Sequence, residues 1–383
     1  MAQFPKKLQE KLHRREADNS LRHLPVANSL VDFSSNDYLG FSRNQEILKN
    51  ALNHLSSLDN RQNGATGSRL LTGNHALYTI LESRLAEFHE GRSALVFNSG
   101  YDANIGFFSA VPQRGDVIFY DEYIHASIRD GIRMGNAKSF KFKHNDLDDL
   151  KNKHRVELGR SGSEPEIYVV TESVFSMDGD SPDLIAFSKF SERNNCRLIV
   201  DEAHAIGVFG EKGEGLVQKL GLQKKIFARI VTFGKALGCH GATILGSRSL
   251  KDYLVNFSRS FIYTTGLPPH SVATILSAYE HLMSDGGEGS KLRSNIEFFD
   301  QRLETLDLKS VFIPSNSAIR CCRVSGNQKT RSVAKKMQNE GFDIRAILSP
   351  TVPEGQERLR VCLHSFNTKE EIRAMLELIA QFI

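Results

Sequence analysis

The chain has 383 residues, 40% of them hydrophobic and 25% charged, which is typical of a globular protein and enough for two or three domains. Its 49 Lys and Arg residues against 45 Asp and Glu leave a net charge of +4, too small and too evenly spread to indicate binding to nucleic acid or to a membrane surface. No apolar run approaches the roughly 20 residues that span a bilayer, and the charged start lacks the apolar core of a signal peptide. The five cysteines contain no CxxC pair, so we expect no disulfide framework, no metal site and a cytoplasmic location.

Taken in chain order, the first stretch, to about Leu24, carries apolar residues at helical spacing among many charges and predicts a surface helix. A short strand-like piece follows at 30–34. From about Ala76 onward, short continuous apolar runs alternate with longer helical patterns. The predicted strands lie at 94–100, 116–123, 166–173, 196–204, 228–235 and 241–247, and the helical patterns between them include 75–90 and 183–195. Continuous apolar runs indicate strands covered on both faces, so the pattern predicts an α/β fold with a mostly parallel central sheet and helices on both faces.

A break falls at TTGLPPH (264–270), where two prolines follow a glycine. Beyond it we predict a long helical region, at about 271–306, and then shorter strands and helices that end in the helix KEEIRAMLELIAQFI. The chain is therefore predicted to consist of three segments. These are an N-terminal helix and short strand (1–38), a large α/β domain (39–265) and a small C-terminal α+β domain (266–383).

Polar and ionisable residues follow several of the predicted strands. They are Ser99-Gly100-Tyr101, His125, Glu172 with Ser176, Asp201 with His204, and Thr232 with Lys235. In open parallel sheets, ligands bind beyond the carboxyl ends of the strands, so these residues predict one shared site. Each one alone has a structural alternative: Asp201 could cap a helix, and His204 could be a packed, hydrogen-bonded histidine.

Several common motifs are excluded or missing. The letters DEAH (201–204) match the magnesium-binding signature of one helicase class, but the chain has no GxxxxGK[ST] phosphate loop upstream of them. It also lacks GxGxxG after an early strand, HExxH and a GxSxG elbow. These absences argue against a helicase, a dinucleotide-binding domain, a zinc protease and an α/β-hydrolase.

Lys235 lies in VTFGKALG, after a predicted strand and between glycines. Desolvation there would lower the pKa of its amine and make it a candidate Schiff-base nucleophile, whereas the alternative is a solvated surface lysine. Asp201 ends a strand 34 residues earlier. A carboxylate for a pyridinium nitrogen and a lysine for an aldehyde are the pair that pyridoxal phosphate needs. The start of a helix at 98–104 could bind its phosphate, and Tyr101 or His125 could stack on its ring, with core packing as the alternative.

Eight stretches of the chain carry a family resemblance. They are SSNDYLG (34–40), GATGSRLLTGNHALYTILE (64–82), SGYDAN (99–104), HASIRDG (125–131), TESVFSMDGD (171–180), VDEAHAIGVFG (200–210), TFGKALG (232–238) and PTVPEGQERLR (350–360). In these motifs the sequence resembles the α-oxoamine synthases, which are pyridoxal-phosphate enzymes of the aspartate-aminotransferase-like fold (PLP fold type I). The resemblance runs from residue 34 to residue 360 and implies that fold, that cofactor and a homodimer with shared active sites.

The resemblance also implies roles for individual residues. The catalytic residues that it implies are Lys235, which would bind the cofactor aldehyde, Asp201, which would pair with the pyridine nitrogen, His125, which would stack on the ring face, and His204. The other cofactor-side residues are Gly100, Tyr101, Glu172, Ser176, Thr232 and Thr265, with Thr264 as the alternative that reaches the phosphate of the partner subunit. The substrate-side residues are Arg22, Asn36, Thr351 and Arg360, of which Arg360 is suited to a bidentate grip on a carboxylate.

Within this family, the motifs are most similar to those of the branch that condenses L-alanine with a pimeloyl thioester of coenzyme A or acyl carrier protein. This reaction releases carbon dioxide and gives 8-amino-7-oxononanoate for biotin biosynthesis. The alternatives are the glycine-using branch (glycine C-acetyltransferase), another α-oxoamine synthase, and a catalytically silent scaffold subunit. Retention of Lys235, Asp201, His204 and His125 argues against the scaffold. Ala205-Ile206 and Cys239 depart from common family patterns and lie where they could shift substrate preference.

Overall fold

The computed structural model describes residues 4–18, 21–22, 24, 29–57, 62–158, 165–284 and 286–383. Its strands are β1 (Val31–Asp32), β2 (Ser93–Phe97), β3 (Val117–Asp121), β4 (Lys138–Phe142), β5 (Ile167–Glu172), β6 (Arg197–Asp201), β7 (Ala228–Thr232), β8 (Ala242–Gly246), β9 (Ile319–Arg323), β10 (Phe342–Asp343), β11 (Arg345–Ile347) and β12 (Arg358–Cys362). Its α-helices are α1 (Lys6–Ala17), α2 (Gln45–Ser57), α3 (Ala76–Phe88), α4 (Gly100–Ala110), α5 (Ala126–Met134), α6 (Leu147–Leu158), α7 (Leu184–Arg193), α8 (Leu216–Lys219), α9 (Arg248–Phe257), α10 (Arg259–Ile262), α11 (Pro269–Met283), α12 (Glu288–Thr305), α13 (Asn327–Asn339) and α14 (Lys369–Phe382), and a 3₁₀ turn spans Phe41–Arg43.

A seven-stranded sheet forms the centre of the fold, in the order β2-β8-β7-β6-β5-β3-β4. Neighbouring strands from β7 to β4 are parallel, whereas β8 runs antiparallel to both β2 and β7. The predicted mostly parallel α/β sheet is therefore confirmed, and all six predicted strands are present. The edge strand β4 was missed because its sequence, KSFKF, is mostly polar and exposed, as befits an edge that has to resist pairing with other chains.

Helices cover both faces of this sheet. Since successive side chains along a strand point to opposite faces, each strand contributes to the apolar layers on both sides. On β6, Ile199 belongs to one apolar cluster, whereas Leu198 and Val200 belong to another. The helices that contribute to the first cluster are α4, α5, α9 and α10, and those that contribute to the second are α6, α7 and α8. This double cover explains the continuous apolar runs in the sequence.

A second, three-stranded sheet, β11-β12-β9, is antiparallel and lies in the C-terminal part of the chain with α12, α13 and α14. The N-terminal strand β1 pairs in parallel with β10, so the predicted strand near residue 31 is anchored to the C-terminal part. The helical region predicted at 271–306 is two helices, α11 and α12, and Gly287, directly before α12, has a φ of 86°. The segment boundaries after residues 38 and 265 stay predictions.

Candidate active site

The carboxyl ends of the parallel strands meet at one edge of the sheet and bring the predicted residues together. Glu172 ends β5 and Asp201 ends β6, and the two are direct partners in the strand register. Thr232 ends β7, and Lys235 follows three residues later. The structure therefore brings together, at this edge, predicted residues that are up to 136 positions apart in sequence, as with Ser99 and Lys235.

Asp201 is a buried carboxylate held by neutral donors. Its Oδ2 accepts a hydrogen bond from Asn104 Nδ2 at 2.9 Å, and its Oδ1 accepts one from the Ala203 backbone N–H, also at 2.9 Å. Within the parts of the chain that the structure describes, it makes no ion pair within 4 Å. The two neutral donors hold the carboxylate in one orientation. Because its negative charge is buried without a cation beside it, a cationic partner inside the site would be favourable.

A hydrogen-bonded chain leads from Lys235 across the site. Lys235 Nζ lies 2.8 Å from His204 Nε2, His204 Nδ1 lies 2.8 Å from the Tyr38 hydroxyl, and that hydroxyl lies 3.1 Å from Asn36 Oδ1. Burial holds the pKa of His204 well below its usual value, so its imidazole is neutral. The consistent assignment is that Lys235 donates to His204 Nε2, His204 Nδ1–H donates to Tyr38, and Tyr38 donates to Asn36.

Burial also lowers the pKa of the Lys235 amine, to about 8, against the opposing attraction of the Asp201 and Glu172 carboxylates. The pKa of Glu172 is raised well above its usual value by burial and by the neighbouring Asp201 charge. The site therefore combines a lysine that gives up its proton more readily than usual with a carboxyl group that holds its proton more tightly than usual. Such opposed shifts are characteristic of sites that move protons.

His125 stands at the open side of the site, at the N-cap of α5. Its backbone N–H donates to Glu172 Oε1 at 2.5 Å, and its Nδ1 lies 2.7 Å from the Ser127 hydroxyl. The ring is exposed to the cavity, yet the surrounding protein desolvates it enough to lower its pKa, with the Asp201 charge acting in the opposite direction. The first contact fixes the backbone and the second fixes the ring at the cavity wall, where a flat ligand could stack on it.

The start of α4 is the part of the site that could hold an anion. Ser99 caps this helix by accepting a hydrogen bond from the Asp102 N–H, and a Cβ on Gly100 would lie only 3.5 Å from the Thr232 hydroxyl. Free N–H groups at a helix start and a nearby hydroxyl form a typical phosphate cradle. Tyr101 contributes only backbone here, because its exposed side chain donates to Asp130 Oδ2 at 2.7 Å.

Thr264 and Thr265 lie at the rim of the same region. Asn98 Nδ2 donates to the Thr264 hydroxyl at 3.1 Å and to the Thr265 carbonyl at 2.6 Å. Asn98 follows β2 directly, two residues before α4 begins. The two threonines are thereby tied to the strand that leads into the phosphate cradle.

The substrate-side residues fall into two groups. Arg360 Nη2 donates to Asn36 Oδ1 at 2.9 Å and its Nε donates to the Ser176 carbonyl at 2.7 Å, so these three residues are contiguous. Thr351 lines a cavity of about 270 Å³ together with His125 and Ser176. It also lines a second cavity, of about 220 Å³, with Arg22. Arg22 thus lies one cavity further out than the other predicted residues.

Sequence reasoning missed Tyr38, Asn104 and Ser127. Tyr38 and Asn104 lie inside the quoted stretches SSNDYLG and SGYDAN, so the motifs contained the signal, but nothing in the spacing indicated their contacts. Ser127 links the two halves of the site, since its hydroxyl contacts both His125 and Asn104.

The aminotransferase class I and II family matches residues 28–379 of this chain. The chain belongs to this family. The 8-amino-7-oxononanoate synthase of Emericella nidulans (strain FGSC A4 / ATCC 38163 / CBS 112.46 / NRRL 194 / M139) is 42% identical, over 98% of this chain and 95% of that protein. The match confirms the predicted enzyme class and the resemblance to the α-oxoamine synthases.

Two solved structures agree with this. The 8-amino-7-oxononanoate synthase of Francisella tularensis is 29% identical, with a TM-score of 0.78, over 93% of this chain and 98% of that chain. A serine palmitoyltransferase from S. paucimobilis, solved with bound PLP, is 25% identical, with a TM-score of 0.87, over 98% of this chain and 96% of that chain. The predicted fold type is therefore confirmed.

Proposed function

We propose that this chain is a pyridoxal-phosphate-dependent acyltransferase that condenses L-alanine with a pimeloyl thioester to give 8-amino-7-oxononanoate, carbon dioxide and the free thiol carrier. One observation carries the proposal: the amine of Lys235, with a pKa lowered to about 8, lies against neutral His204 on the strand edge that also carries the buried Asp201. The 42% identity to a relative named for this product supports it.

The residues present fit pyridoxal phosphate by the chemistry of their donor set. Lys235 would hold its aldehyde carbon, Asp201 its ring nitrogen, and the α4 start with Thr232 its phosphate, while His125 would cover the ring face. Asp201 suits a protonated ring nitrogen because its described partners are neutral donors. When bound, the cofactor supplies an electron sink that makes the α-hydrogen of the amino acid acidic.

The chain's own groups account for the remaining requirements of the reaction. Lys235, whose amine has a pKa of about 8, is about half neutral at that pH and can take the α-proton, as a general base with a pKa near the working pH does. His204 Nε2 lies 2.8 Å from the amine nitrogen, and the hydrogen bond between His204 Nδ1 and the Tyr38 hydroxyl fixes the orientation of the His204 ring. Arg360, backed by Asn36, presents a cation for the carboxylate of alanine.

The two cavities that share Thr351 would hold the acyl chain. The inner one has apolar walls that include Phe175, Met177 and Val352, and these suit the methylene groups. The outer one is lined by the cations Arg22 and Arg331 among others, and cations there suit the free carboxylate at the far end of a pimeloyl group. A dicarboxylic acyl group would thus be distinguished from a plain fatty acyl group by charge.

The chain is further proposed to act as a cytoplasmic homodimer with coenzyme A or acyl carrier protein as the thioester carrier. Large apolar side chains exposed near Thr264 and Thr265 support the dimer, among them Leu71 at 82% exposure and Tyr263 at 73%. In the described part of the chain, no helix is both long and apolar enough to cross a membrane. We expect neither nucleic acid nor a membrane among its partners.

The decisive experiment incubates the purified, cofactor-loaded protein with alanine, glycine or serine, each with and without pimeloyl-CoA, and identifies the products by mass spectrometry. The proposal expects an alanine-dependent oxononanoate product that is absent with Lys235→Ala. Lys251→Ala is the matched control, since this lysine pairs with Glu82 away from the site, and it should retain activity. Turnover with glycine and short acyl-CoA alone would move the enzyme to another branch, and a colourless protein after addition of pyridoxal phosphate would refute the cofactor.

A further inference from the structure

His144 connects two loops that both line the inner cavity, the one after β3 and the one after β5. It follows β4, and its Nδ1 lies 2.9 Å from Oδ1 of Asp121, the fully buried last residue of β3. Its Nε2 lies 2.9 Å from Oδ2 of Asp180, in the loop after β5. Asn145 adds to the same junction, because its backbone N–H donates to Asp121 and its side chain donates to Asp180 at 2.8 Å.

Both ring nitrogens of His144 face carboxylates, which only a doubly protonated ring can satisfy, since a neutral imidazole has one N–H donor. Burial alone would lower the pKa of His144, but the hydrogen bonds to Asp121 and Asp180 outweigh it and raise the pKa to about 10. The ring is therefore an imidazolium at neutral pH. It forms a charged bridge between the end of β3 and the loop at 173–183.

Two aromatic rings pack on this imidazolium and reach the cavity. Tyr123 stacks on it with ring centres 4.4 Å apart, and Phe175 meets it edge-on at 4.5 Å. Both line the inner cavity, Tyr123 two residues before His125 and Phe175 one residue before Ser176. His144 itself does not line this cavity, so it acts on the cavity only through these neighbours.

We propose that His144 is a positioning residue that holds the His125 wall of the acyl cavity at a fixed separation from the Ser176 wall. This inference rests on the proposed function, in which that cavity receives the acyl thioester. The bridge determines how closely the thioester carbon approaches the amino-acid carbon, whereas the Lys235 and Asp201 side is held by separate contacts. Loss of the bridge should therefore impair the acyl step more than alanine binding, which is linked to the bridge only through the contact of Arg360 with the Ser176 carbonyl.

The test compares His144→Gln and Asp180→Asn with His154→Gln in the cofactor-loaded protein. His154 is a suitable control because it is buried on α6, packs against Phe119 and Phe190, and contacts neither loop. We expect kcat with pimeloyl-CoA to fall about 10- to 100-fold in His144→Gln, since a displacement of about 1 Å can cost 100-fold, and to fall less in Asp180→Asn. The alanine dissociation constant from visible absorbance should change less than about threefold, and His154→Gln should lower only the melting temperature.

Unchanged kcat in His144→Gln, equal loss of alanine binding, or the same kinetic defect in His154→Gln would overturn the inference. A crystal structure of His144→Gln gives a readout that does not depend on activity, with the Tyr123 and Phe175 rings expected to shift by about 1 Å relative to each other. If the wild-type protein failed to turn over alanine with pimeloyl-CoA, the proposed function would be wrong. The shift of the two rings would still decide the role of His144.

Discussion

The Lys235 amine carries a testable pH dependence. Its pKa is lowered to about 8 by burial, so half of the amine is neutral and nucleophilic at that pH, and the neutral fraction levels off about one pH unit higher. We predict that the rate at which the apoprotein takes up pyridoxal phosphate increases with pH, reaches half its maximum near pH 8 and reaches a plateau at about pH 9. Stopped-flow absorbance measures this rate. Nα-acetyllysine in solution is the control, because its side-chain amine titrates near 10.4. A protein rate that still rises above pH 9 would contradict the lowered pKa.

The Tyr38 hydroxyl lies at the middle of the chain from Lys235 to Asn36, and its removal should affect both stability and catalysis. Tyr38→Phe leaves His204 Nδ1 without its buried partner, which typically costs about 1–3 kcal/mol of unfolding free energy. We also expect kcat to fall about tenfold, because His204 loses the contact that fixes its tautomer. Urea denaturation and steady-state kinetics measure the two effects.

Tyr279→Phe is the matched control for this prediction. Tyr279 is also fully buried, and its hydroxyl lies 2.9 Å from Nε2 of the buried His89, so the same pair of groups occurs outside the candidate site. The two variants should lose similar unfolding free energy, and only Tyr38→Phe should lose kcat. Equal kinetic effects would mean that Tyr38 acts through general stability alone.

At the scale of elements, much of the large sheet could be predicted because burial on both faces leaves a continuous apolar run, as in β5, β6 and β7. The polar edge strand β4 and the turn near Gly287 carry no such pattern and were missed. Contacts across the fold were missed for a different reason. Tyr38 and His204 are 166 residues apart, so no local spacing could indicate their pairing.

The turn after Lys235 is predicted to depend on Gly238, which has a φ of +59°. A Cβ at this position would come within 2.1 Å of the Ser42 backbone nitrogen, so alanine would push the turn away from residues 41–42. Gly238→Ala should therefore cost several kcal/mol of unfolding free energy and weaken cofactor binding, beyond the roughly 1 kcal/mol of left-handed backbone strain. Denaturation and cofactor titration measure the two effects.

Gly221→Ala is the control for Gly238→Ala, because it introduces the same left-handed backbone strain without a close contact of the added Cβ. Gly221 has a φ of +66°, but nothing lies within 4 Å of its added Cβ. It should lose only about 1 kcal/mol and keep normal cofactor binding. If both alanine variants behaved alike, the contact between the Lys235 turn and Ser42 would have no part in positioning the lysine.

At the scale of the molecule, the loop at 173–183 joins the large sheet to the C-terminal sheet. Arg358 of β12 pairs with Asp178 and donates to the Met177 carbonyl, and the Ser317 hydroxyl donates to the Gly179 carbonyl at 2.9 Å. The loop thus lies between His144 on one side and β9 and β12 on the other. The C-terminal part accordingly supplies both Arg360, which is proposed to bind the substrate carboxylate, and the contacts that hold the Ser176 wall in place.

The last prediction concerns assembly. Leu71 lies in a turn at 68–73, where the Gly73 N–H bonds to Ser68, and Gly67 accepts a hydrogen bond from the Gly266 N–H, next to Thr265. An 82% exposed leucine beside a residue predicted to reach the partner's phosphate favours burial at the subunit interface. We predict that the wild-type protein sediments at twice the mass of the chain.

Leu71→Asp should shift this equilibrium toward monomers at micromolar concentration, because a carboxylate would be desolvated in the interface. Activity should fall in parallel, since each site would lose the threonines of its partner. Val156→Asp is the control: Val156 is 49% exposed on α6, away from this turn, and its variant should remain dimeric and active. Sedimentation of the wild-type protein as a monomer, or full activity of monomeric Leu71→Asp, would mean that each chain completes its site alone and that Thr264 and Thr265 serve only their own subunit.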